Sequence, residues 1–167
     1  MRLFIAILPS DEMKETLIDI QNTMYDHDIR GYYTQEENLH LTLAFIGEYG
    51  DPQKVMDILS EIEFEPFEIE LGELGCFDDL WWVGLKQSNP LEALVNRIRR
   101  ALSKADIPYD KKSFMPHITL IRKAAGQLQW IQSESAVMEA STISLMRSDR
   151  GKNGMIYTEI DYWEAKE

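Results

Sequence analysis

A four-residue pattern occurs twice in this chain, as His40-Leu41-Thr42-Leu43 and as His117-Ile118-Thr119-Leu120. Both copies lie in apolar runs of strand character. Side chains in a strand alternate faces with a period of two. His40 and Thr42 therefore share one face, while Leu41 and Leu43 share the other; His117 and Thr119 stand in the same relation to Ile118 and Leu120. A fold that accepts this sequence must bury four aliphatic side chains and leave two imidazoles and two hydroxyls on open faces. One copy sits in each half of the chain, 77 positions apart. Two such strands, side by side or related by a pseudo-two-fold axis, would present all four polar groups on one surface.

The surrounding elements complete an α+β order. Arg2–Leu8 is a short apolar run that reads as a buried strand ended by Pro9. Ser10 is a candidate N-cap, and Met13, Leu17, Ile20 and Met24 follow at helical spacing, which predicts a helix over 10–26. Residues 27–38 read as a polar loop or irregular strand, and Leu39–Ile46 as a strand. After a turn at Gly47–Gly50, Asp51-Pro52 opens a second helix with Val55, Ile58, Leu59 and Ile62 as its stripe. Phe67–Leu74 alternates as a half-solvated strand, and Trp81–Leu85 is another. Asn89-Pro90 repeats the cap device before a helix striped by Leu91, Leu94, Val95, Ile98 and Leu102. Residues 106–113 read as a loop, Phe114–Ile121 as a strand interrupted by Pro116, and 126–133 as one helical turn. Ala140–Met146 and Met155–Tyr162 read as strands joined by a polar loop. No Gly- or Ser-rich linker divides the chain, so residues 1–167 are expected to form one domain with mostly antiparallel sheets.

Two histidines that titrate near neutrality can serve as a general acid and a general base within one turnover. Threonine hydroxyls are donors suited to the non-bridging oxygens of a phosphate. A metal site would need a third ligand. The remaining histidine, His27, falls at a polar helix end, and Cys76, the one cysteine, follows Gly75 in an acidic stretch. Neither makes a motif with the pair, so no metal or other cofactor is expected. Cys76 has no local basic partner and reads as a packing residue. No Gly-x-Ser-x-Gly elbow, phosphate loop or Gly-x-Gly-x-x-Gly is present. A self-contained ATP site is thus excluded.

Charge narrows the ligand. With 29 Asp or Glu against 17 Lys or Arg, the net charge is −12, which argues against coating nucleic acid through bulk attraction. The distribution is uneven. Glu48–Leu80 holds eleven acidic residues and one lysine, whereas Arg97–Lys123 holds eight Lys or Arg and two Asp. A small anionic ligand could be served by the second region. The N-terminal apolar stretch is too short for a signal peptide, no apolar run has transmembrane length, and a cytoplasmic location is the expectation.

The two motifs in their flanks resemble the 2H phosphoesterase superfamily, and within it the RNA 2′,3′-cyclic phosphodiesterases, also called 2′-5′ RNA ligase (LigT-like) proteins. The resemblance rests on Arg2–Ile7 and the capped helix after it, on Glu37–Glu48, on Phe114–Arg122, on Leu80–Leu85, and on Ser144–Ser148 with Gly154 and Tyr157. It implies a two-lobed, pseudo-two-fold α+β fold, with antiparallel sheets flanked by helices around a central cleft. It implies metal-free opening of a ribose 2′,3′-cyclic phosphate to a 2′-phosphate. By this resemblance His40 is the proton donor and His117 the proton acceptor, while Thr42 and Thr119 hold phosphate oxygens. Arg122 could add a cation near the phosphate. The family's arginine-rich approach to the first motif is missing from residues 32–38; Tyr32, Tyr33 and Phe114 could stack a base instead.

The expected partners are RNA with 2′,3′-cyclic phosphate ends, or small nucleotides, with no membrane and no obligatory protein partner, so that a monomer is expected. Three other functions fit the same residues. A 2′-5′ RNA ligase would run the same proton transfers in reverse. A phosphodiesterase could act on small cyclic or 2′-5′ linked nucleotides. A non-catalytic RNA- or nucleotide-binding module is the reading from another class; loss of one histidine would mark it, and both are present.

Overall fold

The structure is a computed structural model and describes residues 1–166. Among the described residues, nine strands form two antiparallel sheets, accompanied by three α-helices. In chain order they are β1 (Arg2–Ile7), α1 (Asp11–Asp26), β2 (Arg30–Tyr33), β3 (Leu41–Glu48), α2 (Pro52–Ser60), β4 (Phe67–Phe77), β5 (Leu80–Leu85), α3 (Asn89–Lys104), β6 (His117–Ala125), β7 (Val137–Ala140), β8 (Thr142–Gly151) and β9 (Gly154–Glu164). Single 3₁₀ turns cover Glu36–Asn38 and Leu128–Trp130. One sheet has the order β3-β1-β8-β9 and the other β2-β6-β5-β4-β7. The sheets approach each other along β3, which follows His40, and β6, which begins at His117.

Local chemistry accounts for the elements. Ser10 caps α1 by accepting from the Met13 N–H at 3.1 Å. Asp51 caps α2 by accepting from the Lys54 N–H at 3.2 Å. The cap of α3 is Ser88 rather than Asn89, its Oγ accepting from the Leu91 N–H at 3.3 Å; Asn89 is already the first helical residue. The expected stripe of α3, Leu91, Leu94, Val95, Ile98 and Leu102, is fully buried. Each such side chain contributes about 1.5–3 kcal/mol. In α2, Val55 and Leu59 are buried while Ile58 and Ile62 are only partly covered.

Several expected boundaries shift. Residues 27–38 contain β2 and a 3₁₀ turn. β3 runs two residues further than expected, through Gly47, whose positive φ of 85° suits a glycine. β4 extends to Phe77 because its pairing with β5 continues through Gly75↔Trp82 to Phe77↔Leu80. β6 begins only at His117, since Pro116 has no N–H to give to a ladder. β7 was not anticipated. The polar loop expected after Met146 is mostly strand: β8 and β9 pair all the way to Gly151↔Gly154. Cys76 is exposed, not packed, near the end of β4.

A large core joins both sheets to the helices, with Leu41 and Leu43 from β3 and Ile118, Leu120 and Ile121 from β6 all at 2% exposure or less. A second, smaller apolar cluster, Phe4, Ala6 and Met146, covers the opposite face of β1 and β8. β1 is therefore buried on both faces, which explains its uninterrupted apolar run. Gln21 of α1 is buried and ties that helix to the β2–β6 side of the second sheet, donating from Nε2 to the carbonyls of Thr34 and Leu120, both at 2.9 Å. No described helix is long and apolar enough to cross a membrane.

Candidate active site

His40 enters the site from the 3₁₀ turn, one residue ahead of β3. Asn38 is buried and donates from Nδ2 to the Met155 carbonyl of β9 at 2.8 Å. The Asn38 carbonyl lies 2.7 Å from His40 Nδ1. A carbonyl can only accept, so Nδ1 carries a proton in either charge state and Nε2 is the atom that gains or loses one. Nε2 is 2.8 Å from Thr42 Oγ1. The ring lies 4.8 Å from Phe4 and meets Tyr157 edge-on, at 5.2 Å and 90°. Burial pushes the imidazole below its ordinary pKa. The Arg122 and His117 charges push the same way, and the Asn38 bond opposes them.

His117 repeats the device. Its Nδ1 lies 2.6 Å from the Met115 carbonyl, again two residues back, so its Nε2 is again the exchangeable position. Its ring stands edge-on to Phe77 at 5.3 Å and 87°, and 5.8 Å from Trp82. Trp82 is seated over Gly75, where a Cβ would lie only 2.3 Å from the indole. Each histidine thus has a tautomer set by an i−2 carbonyl and a ring set against two aromatic side chains.

The symmetry extends to a backbone irregularity. Ile5 and Ala6 of β1 pair with Ala44 and Thr42, leaving Leu43 as an extra residue; Trp81 and Trp82 of β5 pair with Ile121 and Thr119, leaving Leu120 extra. These are β-bulges at the same motif position. Each places two consecutive residues in the core, Leu43 with Ala44 and Leu120 with Ile121, all at 1% exposure or less. The next side chain then returns to the histidine's side. In the first copy that residue is Phe45, and in the second it is Arg122.

Two depressions meet at this axis. One, of 410 Å³, is lined by His40, Thr119, Arg122, Tyr32, Asn38 and Tyr157, among others. The other, of 500 Å³, is lined by His117, Thr42, Phe45, Phe77, Phe114 and Arg99, among others. Each histidine shares its depression with the threonine of the other motif. The His40–Thr42 hydrogen bond joins the two volumes. The structure therefore brings His40, Thr42, His117, Thr119, Arg122 and Phe114 together, with Arg122 on the His40 side and Phe114 on the His117 side. Among the described residues no carboxylate pairs with Arg122. No cluster of three or more His, Cys, Asp or Glu suited to a metal ion is found among the described residues.

Arg99 was missed in the sequence. Its guanidinium lies over the rings of Tyr109 and Phe114, at 5.7 and 5.8 Å. It donates to the carbonyls of Lys112 at 2.8 Å and Leu43 at 3.4 Å. With the Asp110 N–H donating to the Phe45 carbonyl at 2.8 Å, it fastens the 109–114 loop onto β3. Its helical position was the available signal, four residues after Val95 and three before Leu102, on the edge of the buried stripe. Asn38 and Trp82 fall in segments that carry the family resemblance but gave no sign of a role, and Phe77 had no signal, because only the folded chain brings them to the histidines.

This architecture is the LigT-like fold: the structure superposes on Escherichia coli LigT complexed with 3′-AMP with a TM-score of 0.84, covering 99% of this chain and 98% of that one at 24% identity. The sequence profile of the 2′-5′ RNA ligase superfamily matches residues 9–152. The chain belongs to that superfamily. It is 31% identical to an RNA 2′,3′-cyclic phosphodiesterase of Archaeoglobus fulgidus, over 98% of this chain and all of the relative. It is 32% identical to an RNA 2′,3′-cyclic phosphodiesterase of Escherichia coli, over 74% of this chain and 73% of the relative.

Proposed function

We propose that this chain acts as one domain of two intertwined lobes, and that it hydrolyses RNA 2′,3′-cyclic phosphate ends to 2′-phosphomonoesters by metal-free catalysis with two histidines. The observation that carries the reading is the matched pair of imidazoles, each with Nδ1 held by a carbonyl and Nε2 left for proton exchange. The similarity to relatives named for this activity supports it. His117 Nε2 takes a proton from water as its oxygen bonds to phosphorus. The bond from phosphorus to O3′ breaks, and His40 Nε2 supplies the proton to O3′. Thr42, Thr119 and Arg122 donate to the phosphate oxygens, whose charge is greatest in the transition state.

The donor role asks His40 to be charged, whereas burial and the neighbouring Arg122 guanidinium favour its neutral form in the free protein. The substrate resolves this. A phosphate anion placed among His40, Thr119 and Arg122 offsets the Arg122 charge and favours the imidazolium. Protonation of the donor is thus coupled to occupation of the site. The action is assigned to a monomer in the cytoplasm. The test is to incubate an RNA oligonucleotide bearing a 2′,3′-cyclic end with the protein in EDTA and identify the product. A 2′-phosphomonoester is expected. A 3′-phosphomonoester, or turnover only after a divalent ion is restored, overturns the mechanism.

A further inference from the structure

The His40-side depression opens onto a strip that interleaves tyrosines with cations on a protein otherwise strongly acidic. Tyr32, on β2, pairs in register with Arg122 and has the Lys123 ammonium 5.7 Å from its ring. Tyr33, paired with the buried Ile121, turns its ring to the other side of β2, where it meets Tyr25 of α1 edge-on at 6.4 Å. The Arg30 guanidinium lies 5.8 Å from the Tyr25 ring. Tyr32 and Tyr25 are 69% and 61% exposed, so these rings contribute little to the core. The acidic group facing the strip is Asp28, 3.4 Å from Arg30; both side chains are solvent-exposed, and such a pair is weak.

We propose that this strip is the path of the single-stranded RNA chain 5′ to the cyclic end. It rests on the phosphodiesterase reading and adds where the nucleotides 5′ to the cyclic end lie and which side chains hold them. The direction follows from the chemistry. O3′ departs toward His40, so the terminal nucleoside to which it remains attached lies in the His40-side depression. The chain then leaves past Tyr32 and over β2, the edge strand of its sheet, toward Tyr25. Exposed rings give sequence-tolerant platforms for bases, and Lys123 and Arg30 stand where a backbone phosphate would need a cation. From Arg30 to Tyr33 the strand spans about 10 Å. At about 3.4 Å per stacked nucleotide that accommodates two to three nucleotides. A short track of this kind also reconciles RNA binding with a net charge of −12.

The experiment compares steady-state kinetics on a 2′,3′-cyclic mononucleotide and on a hexanucleotide with a 2′,3′-cyclic end. It uses the wild type, Tyr25→Ala, Arg30→Gln and Lys123→Gln, all altered at exposed positions outside the depressions. The wild type should show a KM at least tenfold lower for the hexanucleotide. Tyr25→Ala should raise that KM about five- to tenfold, the effect of losing one stacking platform. Arg30→Gln and Lys123→Gln should each reduce the salt slope of hexanucleotide binding by about 0.7. Mononucleotide kinetics should stay unchanged in all three variants. Equal wild-type KM values for the two substrates, or variants that leave the hexanucleotide unaffected, would overturn the track while the phosphodiesterase reading stands. Absence of wild-type turnover on both substrates would overturn that reading itself.

Discussion

Replacing Arg122 with Gln should change two observables in opposite directions. The guanidinium faces the depression that holds His40 and Thr119, and no described carboxylate neutralises it. A charge-assisted hydrogen bond to a phosphate oxygen contributes about 1.5–3 kcal/mol. Because Arg122 is exposed to water, the lower half of that range applies, and kcat/KM on a cyclic-phosphate RNA end should fall about ten- to fortyfold. At the same time the charge that lowers His40 is lost, so the free-protein pKa of His40 should rise. It should not recover its ordinary value, because burial is the larger cause and remains. The assay is an NMR titration of the histidine ring Cε1–H resonances in the unliganded protein. The chain has three histidines, and a His27→Gln background leaves two to assign. An unmoved or lowered His40 midpoint in the variant would show that the Arg122 charge does not act on His40. A loss of kcat/KM smaller than about threefold would remove Arg122 from phosphate binding.

Other perturbations follow from neighbouring contacts. Arg99→Met keeps the stem of the side chain but frees the 109–114 loop from β3; kcat should fall about tenfold and Tm should drop, both checked on the same preparation, since each lost bond from a charged donor is worth about 1.5–3 kcal/mol. Gly75→Ala would place a Cβ 2.3 Å from the Trp82 indole, so the ring must shift away from His117; a stability loss of about 1–3 kcal/mol in urea melts and a slower turnover are expected. His40 also makes stability depend on pH. Its folded pKa is depressed, so as pH falls below about 6.5 the unfolded chain takes up a proton that the folded chain refuses, and stability is lost toward the lower folded value. The Tm of His40→Gln should therefore decline less than that of the wild type between pH 7 and pH 5, and parallel curves would contradict this origin.

The site residues legible without the family resemblance were those that repeat; Arg122 and Phe114 entered with that resemblance. His40 with Thr42 and His117 with Thr119 stood out because strand alternation separates them from Leu41, Leu43, Ile118 and Leu120, all of which are buried. Arg122 appeared on the wrong face under strict alternation, since a bulge at Leu120 cannot be read from a run of aliphatic residues. The matching bulge at Leu43 likewise hid that Phe45 is the structural counterpart of Arg122. His40 itself lies just outside its strand, because Asn38 folds into a 3₁₀ turn to offer its carbonyl. Phe114 was expected in a strand and belongs to the loop ahead of Pro116. β7 has only four residues and is a strand because it pairs with the distant β4, whereas the polar far end of β8, Arg147–Gly151, is held by its hairpin partner β9. The seats of the histidine rings, Phe4 with Tyr157 and Phe77 with Trp82, depend on the same long-range pairing.

The most direct test of the two-histidine mechanism is a single-turnover rate measurement on an RNA with a 2′,3′-cyclic phosphate end, comparing the wild type with His40→Ala and His117→Ala. Each substitution removes one of the two Nε2 positions that exchange protons and leaves Thr42, Thr119 and Arg122 to hold the phosphate. Each variant should react about 10²–10⁴-fold more slowly, with substrate affinity changed far less than the rate. Near-wild-type turnover by either variant would contradict acid–base catalysis by this pair.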